Sequence, residues 1–198
     1  MVKLIVGVLG LQGDFREHVW ALQKLHAETI VVKTVEDLKR VKGLIIPGGE
    51  STTIGRLARL TGIADELKKR VSEGMPVYGT CAGMILLAKR VANYPQQYSF
   101  QMMDITVERN AYGRQVESFE VELNIPAIGD KFKAIFIRAP KIVEYGENVE
   151  VLAKHGDTPV LVRQENLLAS SFHPELGDDL RIHEYFLRMV GVKYARIY

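Results

Sequence analysis

Cysteine is nearly absent: the 198 residues contain one, Cys81. A lone thiol forms no internal disulfide, and without a cysteine pair there is no ready ligand set for structural zinc. The expectation is a reducing compartment, most simply the cytoplasm. Charge of one sign is also scarce. The 26 Lys and Arg stand against 24 Asp and Glu, a formal net charge of +2. No basic run tracks a phosphate backbone, which excludes nucleic-acid binding driven by bulk charge. No apolar stretch approaches the roughly 18 residues of a membrane span. The apolar N-terminal run leads into Gln12-Gly13-Asp14 rather than a small-residue cleavage site, so it reads as a buried strand and not as a signal peptide. Linkers, internal repeats and low-complexity segments are missing too. One domain over residues 1–198 is the expectation.

What is present is globular: 47% of residues are hydrophobic and 25% charged. The first half alternates strands with helices. Leu4 to Leu9, Ile30 to Val32, Gly43 to Ile46 and a segment opening at Pro76-Val77-Tyr78 are short apolar runs, as parallel strands covered on both faces are. Between them lie helical patterns. Asp14 reads as an N-cap with Glu17 completing a capping box, and Phe15, Val19 and Leu22 form one apolar face. Ile63, Leu67 and Val71 mark another helix closed at Gly74, and Ala82 to Val91 reads as a further one. The second half changes character. Phe119, Val121 and Leu123 alternate with polar residues, and Phe132 to Ile137, Val149 to Ala153, Val160 to Arg163 and Leu167 to Phe172 are strand-like, with a last helix from about Asp178 to Met189. The predicted fold is α/β: a single three-layer domain with a mixed, mostly parallel central sheet, helices on both faces and an antiparallel extension.

Gly79-Thr80-Cys81-Ala82-Gly83 stands where a strand meets a helix. This is the layout of a nucleophile elbow with cysteine in place of serine. It lifts the sulfur above the carboxyl edge of the sheet, at a helix N-terminus whose partial positive charge favours a sulfur anion. The Ala82 N–H is then placed to face a developing oxyanion. A small cysteine that merely packs is the plainer reading. A thiol nucleophile needs a base. Of five histidines, His18, His26 and His183 lie in helical patterns, and His155 precedes a Gly-Asp turn. His173 follows a strand within Ser171-Phe172-His173-Pro174-Glu175. Pro174 disfavours helical geometry at His173, so an extended His-x-Glu puts Glu175 beside the ring as the acid of a triad. A surface turn or half of a metal site is the alternative. A third feature, Pro47-Gly48-Gly49-Glu50-Ser51-Thr52-Thr53, ends a strand. Its glycines let backbone N–H groups complete an oxyanion hole with Ala82. No Gly-Lys-Ser/Thr follows, which argues against a P-loop. An ordinary turn with Ser51 capping the next helix remains open.

Together, Pro47-Gly48-Gly49, Gly79-Thr80-Cys81-Ala82-Gly83 and His173-Pro174-Glu175, in that order, resemble class I, triad-type glutamine amidotransferases. More narrowly, the chain is similar to the family of glutaminase subunits of pyridoxal 5′-phosphate synthase. The further motifs are Gly10-Leu11-Gln12-Gly13 followed by Glu17-His18, Val107-Glu108-Arg109-Asn110, Tyr112-Gly113-Arg114-Gln115, Phe136-Ile137-Arg138-Ala139-Pro140 and the Leu176 that follows Glu175. Tyr94 to Phe100 falls outside them. The resemblance implies hydrolysis of L-glutamine to L-glutamate and ammonia by Cys81, His173 and Glu175. It implies an oxyanion hole from Gly48, Gly49 and Ala82, and glutamine contacts from Gly49, Glu50, Ser51, Arg109, Ile137 and Arg138. No metal and no cofactor are implied. The implied partner is a (β/α)₈-barrel synthase subunit that takes up the ammonia and builds pyridoxal 5′-phosphate from ribose 5-phosphate and glyceraldehyde 3-phosphate. Neither nucleic acid nor membrane is an expected partner. Competing readings are a glutaminase subunit for histidine or purine biosynthesis, a chaperone- or peptidase-like α/β protein with a similar elbow, and a non-catalytic binding module.

Overall fold

A computed structural model describes residues 4–111 and 118–192. The motif Tyr112-Gly113-Arg114-Gln115 lies outside the described residues. The chain runs β1 (Ile5–Leu9), α1 (Phe15–Lys24), β2 (Glu28–Val32), α2 (Val35–Arg40), β3 (Gly43–Ile46), α3 (Ser51–Leu60), α4 (Ile63–Ser72), β4 (Val77–Thr80) and α5 (Ala82–Leu87). It continues through β5 (Ala88–Val91), β6 (Met103–Glu108), β7 (Ser118–Ile125), β8 (Asp130–Ile137), β9 (Lys141–Tyr145), β10 (Glu150–His155), β11 (Thr158–Gln164), β12 (Leu167–Ser170) and α6 (Arg181–Val190).

Among the described residues seven strands form the main sheet, in the order β10-β11-β12-β4-β3-β1-β2. The five from β12 to β2 are parallel, and β10 and β11 extend the sheet antiparallel to β12. The parallel interior strands read as unbroken apolar runs because both faces are covered. Successive residues of a strand serve opposite faces. Leu44 and Ile46 of β3 pack with Ile54, Ala58 and Leu67 of α3 and α4. Ile45, between them, packs on the other face with Leu22 of α1, Phe186 of α6 and Phe132 and Phe136 of the β7–β8 hairpin. The sheet is thus the middle of three layers. No helix among the described residues is long and apolar enough to cross a membrane.

The registers fix the geography of the site. Ile46 of β3 aligns with Gly79 of β4, and Ser170 of β12 aligns with Thr80. Parallel pairing sets the carboxyl ends of β1, β3, β4 and β12 side by side. The loops after them carry Gln12 to Asp14, Gly48-Gly49, Cys81 and His173.

Three local expectations are corrected. The helix predicted to Val91 stops at Leu87, because Ala88 adopts φ −59°, ψ 146°. The Leu86 and Leu87 carbonyls accept from the Phe100 and Met102 N–H groups, and Ala88–Val91 becomes a strand beside β6. Asp14 does sit at the start of α1, but its side chain makes no capping hydrogen bond. The segment after His173 is not extended: Pro174–Leu176 is a single 3₁₀ turn.

Candidate active site

Cys81 leaves β4 at φ 49°, ψ −100°, a conformation L-residues rarely adopt. Its N–H donates to the Ser170 carbonyl of β12 at 2.8 Å, which anchors the elbow. Gly83 is required by contact: a Cβ there would lie 2.2 Å from the Ile46 carbonyl oxygen. Ala82 opens α5, so its N–H has no partner within the helix and stays available to a ligand.

His173 and Glu175 come from the end of β12. The His173 N–H donates to the Ile135 carbonyl of β8 at 2.8 Å. Its ring Nδ1 meets Glu175 Oε1 at 2.6 Å, which leaves Nε2 free on the cleft that Cys81 also lines, and the Cys81 sulfur lies 3.8 Å from the Ile137 carbonyl. The 3₁₀ turn achieves what the extended reading assigned to alternation, because it folds Glu175 back under the imidazole. Burial opposes a charge on His173, but the hydrogen bonds and charges of Cys81 and Glu175 outweigh it and raise the ring's pKa to about 11. Burial raises the pKa of Glu175, opposed by the hydrogen bond and charge of His173. The Gly48 backbone lies against this ring: a Cβ on Gly48 would stand 2.4 Å from His173 Cε1. The Gly48 carbonyl accepts from the Asp14 N–H at 3.0 Å, and Gln12 Oε1 accepts from the Glu50 N–H at 2.7 Å.

Cys81 and His173 open onto a cleft of about 420 Å³. Gly49, Glu50, Ser51, Ala82, Arg109, Ile137 and Arg138 line it, as do Asp14, Ile85, Asn110 and Leu176. Glu50 caps α3, accepting from the Thr52 and Thr53 N–H groups and hydroxyls. Burial would raise its pKa, yet those hydrogen bonds hold it down at about 2, so the carboxylate is fixed as an anion. Arg109 donates to Gln97 Oε1 at 2.6 Å and Glu50 Oε1 at 3.2 Å, and its guanidinium stands 4.8 Å from the centre of the Tyr94 ring. The cleft therefore holds a fixed carboxylate and guanidinium, matched to the ammonium and carboxylate of an amino acid, together with a sulfur and an imidazole. Clefts of about 550 and 520 Å³ beside Lys89 and Arg90 are larger, but neither is lined by cysteine or histidine. Asp14, His173 and Glu175 could each offer a ligand atom to a cation within 4.8 Å of one another. His173 Nδ1 is already engaged by Glu175, and an imidazolium would repel the ion.

Residues 8–192 match the model of the SNO glutamine amidotransferase family. The chain belongs to that family. It is 78% identical over 194 residues to the pyridoxal 5′-phosphate synthase subunit PdxT of Pseudothermotoga lettingae, covering 98% of this chain and 100% of the relative. The PdxT of Thermotoga maritima is 60% identical over 93% of this chain and 98% of its own length. A crystal structure described as a glutamine amidotransferase superposes with a TM-score of 0.92 at 57% identity, covering 94% of this chain and 99% of that one. The PurLQS structure from Thermotoga maritima, at 16% identity and a TM-score of 0.71, covers 94% of this chain and 99% of its own and shares the fold.

For this glutamine amidotransferase the structure brings all the sequence-predicted site residues to one sheet edge, with Glu175 buried beneath the cleft. Ser51 does not cap α3. Glu50 does, while Ser51 Oγ accepts from Gln97 at 2.8 Å. Asn93, Tyr94 and Gln97, missed from the sequence, brace Arg109. No local signal marks them, since they act only where the chain returns past Arg109. His18 and His183, read as helix-face residues, are fully buried. His26 lies beyond the end of α1 and is exposed, with φ 56°. His155 ends β10 against Phe119 and Phe136.

Proposed function

We propose that Cys81 is the nucleophile, His173 the acid–base and Glu175 its orienting carboxylate in hydrolysis of L-glutamine. The sulfur adds to the side-chain amide carbon. Gly48, Gly49 and Ala82 receive the oxyanion on backbone N–H groups. His173 gives its proton to the leaving nitrogen, ammonia departs and a thioester remains. Water, deprotonated by His173, adds to the thioester and expels the thiolate, releasing glutamate. Glu50 and Arg109, with Ser51, Ile137 and Arg138, hold the amino-acid end of the substrate. The observation that carries this reading is that Cys81 and a His173 ring hydrogen-bonded to Glu175 line one cleft together with Glu50 and Arg109.

The ammonia goes to a synthase subunit that makes pyridoxal 5′-phosphate, as the names of the PdxT relatives support. That partner is a (β/α)₈ barrel working on ribose 5-phosphate and glyceraldehyde 3-phosphate, and residues 1–198 act as one glutaminase domain. The complex resides in the cytoplasm, where a lone reduced cysteine is stable. The test is ammonia release from glutamine by wild-type chain and Cys81→Ala, each with and without the synthase subunit. Wild type is expected to release ammonia with the partner present, and Cys81→Ala to release none. Ammonia from Cys81→Ala at the wild-type rate would overturn the nucleophile assignment.

A further inference from the structure

Behind Glu175 lies a polar chain that the proposed reaction does not use. His18 of α1 is fully buried, as is His183 of α6. His18 Nε2 stands 3.1 Å from Thr80 Oγ1, one residue before the nucleophile, and 3.4 Å from Glu175 Oε2. His18 Nδ1 stands 3.0 Å from His183 Nε2. Glu175 Oε2 and His183 Nδ1 are buried and accept no hydrogen bond among the described residues. Burial of this many polar atoms is costly without a return in orientation or specificity.

The partners assign the protons. A lone pair on His18 Nε2 would stand 3.4 Å from the Glu175 carboxylate and be repelled by it, so that nitrogen carries the hydrogen and directs it at Thr80 Oγ1. Its Nδ1 is then an acceptor, and His183 supplies the hydrogen from Nε2. The nitrogen left over, His183 Nδ1, is a bare acceptor. The opposite assignment would bury an unpaired N–H, which is rarer in folded proteins than an unpaired acceptor. Both rings are neutral. Burial lowers the pKa of His183 to about 4, and burial followed by repulsion from His183 and His173 lowers that of His18.

We propose that His18 is a positioning residue for glutamine hydrolysis: its Nε2–H, directed at Thr80 Oγ1, holds its positive end 3.4 Å from Glu175 Oε2 and so keeps the carboxylate ionised and turned toward His173, while His183 sets the tautomer of His18. The inference rests on the triad reading above. Oriented neutral N–H dipoles stabilise the carboxylate without adding a net charge that would compete with His173. Glu175 is otherwise faced by His173 and by its own backbone N–H, which favour its charged form, by Asp14, which disfavours it, and by the Tyr78 phenol.

The test uses the full chain with its synthase subunit, counting competent sites with a cysteine-directed glutamine analogue. His18→Leu removes both nitrogens. Its kcat per titrated site is expected to fall about tenfold to a hundredfold, the usual cost of losing an outer partner of a functional histidine, with KM for glutamine within about twofold. The acid limb of its pH–kcat profile moves to higher pH, because Glu175 loses a group that favours its charged form. His18→Gln, whose amide nitrogen reaches the position of Nε2, restores most of kcat and returns the acid limb. An unchanged kcat and pH profile in His18→Leu overturns the proposal, as does a failure of His18→Gln to differ from His18→Leu. Should His18→Leu not fold, ¹⁵N NMR of the wild-type imidazoles decides. A neutral Nε2–H ring at His18 near pH 7 is expected, and an Nδ1–H or doubly protonated ring refutes the assignment. Full activity in Cys81→Ala would instead defeat the triad reading and leave the tautomer measurement standing.

Discussion

Cys81, Asn110 and Arg138 share a left-handed backbone, at φ of 49°, 49° and 44°, and all three line the cleft. Such conformations cost about 1–3 kcal/mol each for a side chain with a Cβ, and they persist where surrounding contacts over-determine them. At Cys81 the hydrogen bond to the Ser170 carbonyl and the close approach of Gly83 to Ile46 do so. Residue-scale precision extends to Gly48. An added methyl there would meet His173 Cε1 at 2.4 Å and Nδ1 at 2.9 Å, so the ring must move from Glu175 or from Cys81. Gly48→Ala is therefore expected to lose about 10²-fold in kcat, the scale of a misplacement near 1 Å, while remaining folded. Kinetics alongside a thermal melt check this, and wild-type turnover in a folded Gly48→Ala would show that the ring does not need its place.

At the scale of elements, α1 and α6 meet through His18 and His183 on the face of the sheet opposite α3 and α4. Their packing has a pH dependence of known sign. The His183 pKa drops from the ordinary 6.5 to about 4 on folding. Between those values the unfolded chain holds a proton that the folded chain does not, so stability falls as pH drops through that window. At about 1.4 kcal/mol per unit, His183 alone contributes a loss on the order of 3 kcal/mol. His18, faced by His183, His173 and Glu175, is displaced in the same direction. Urea midpoints for wild type are expected to fall steeply from pH 7 to pH 4.5, and less steeply in His183→Phe, which cannot charge. Equal slopes in the two proteins would place the acid sensitivity elsewhere.

For the whole molecule, four parallel strands deliver four loops to one edge, and hydrogen bonds tie the loops to one another. Gln12 from the β1 loop holds the Glu50 N–H, and Asp14 holds the Gly48 carbonyl. A peptide's N–H points opposite its C=O, so whatever moves the β1 loop turns the Gly48–Gly49 peptide on which the proposed oxyanion hole depends. A partner seated over this edge would thereby gate hydrolysis. Glutaminase activity is expected to rise when the synthase subunit is added, and that stimulation is expected to shrink in Gln12→Ala. Identical rates with and without the synthase subunit would sink the coupling.

The sequence by itself determined the alternation of short apolar strands with amphipathic helices, because those patterns are local. It also marked the three motifs at strand ends, since the elbow, the His-Pro-Glu segment and the Gly-Gly loop are each legible within a few residues, although the 3₁₀ turn at Pro174–Leu176 was not. It could not show that Ala88–Val91 abandons the helix or that Tyr94 and Gln97 brace Arg109, for both depend on chain that returns from far along the sequence. Only the tertiary structure decided that β12 inserts beside β4, setting imidazole next to sulfur across 92 positions of chain. The same holds for His18 and His183, distant helix residues that become neighbours beneath Glu175. Strand order and burial are settled by the total apolar surface that the whole fold removes from water, a sum to which every segment contributes and which no single segment encodes.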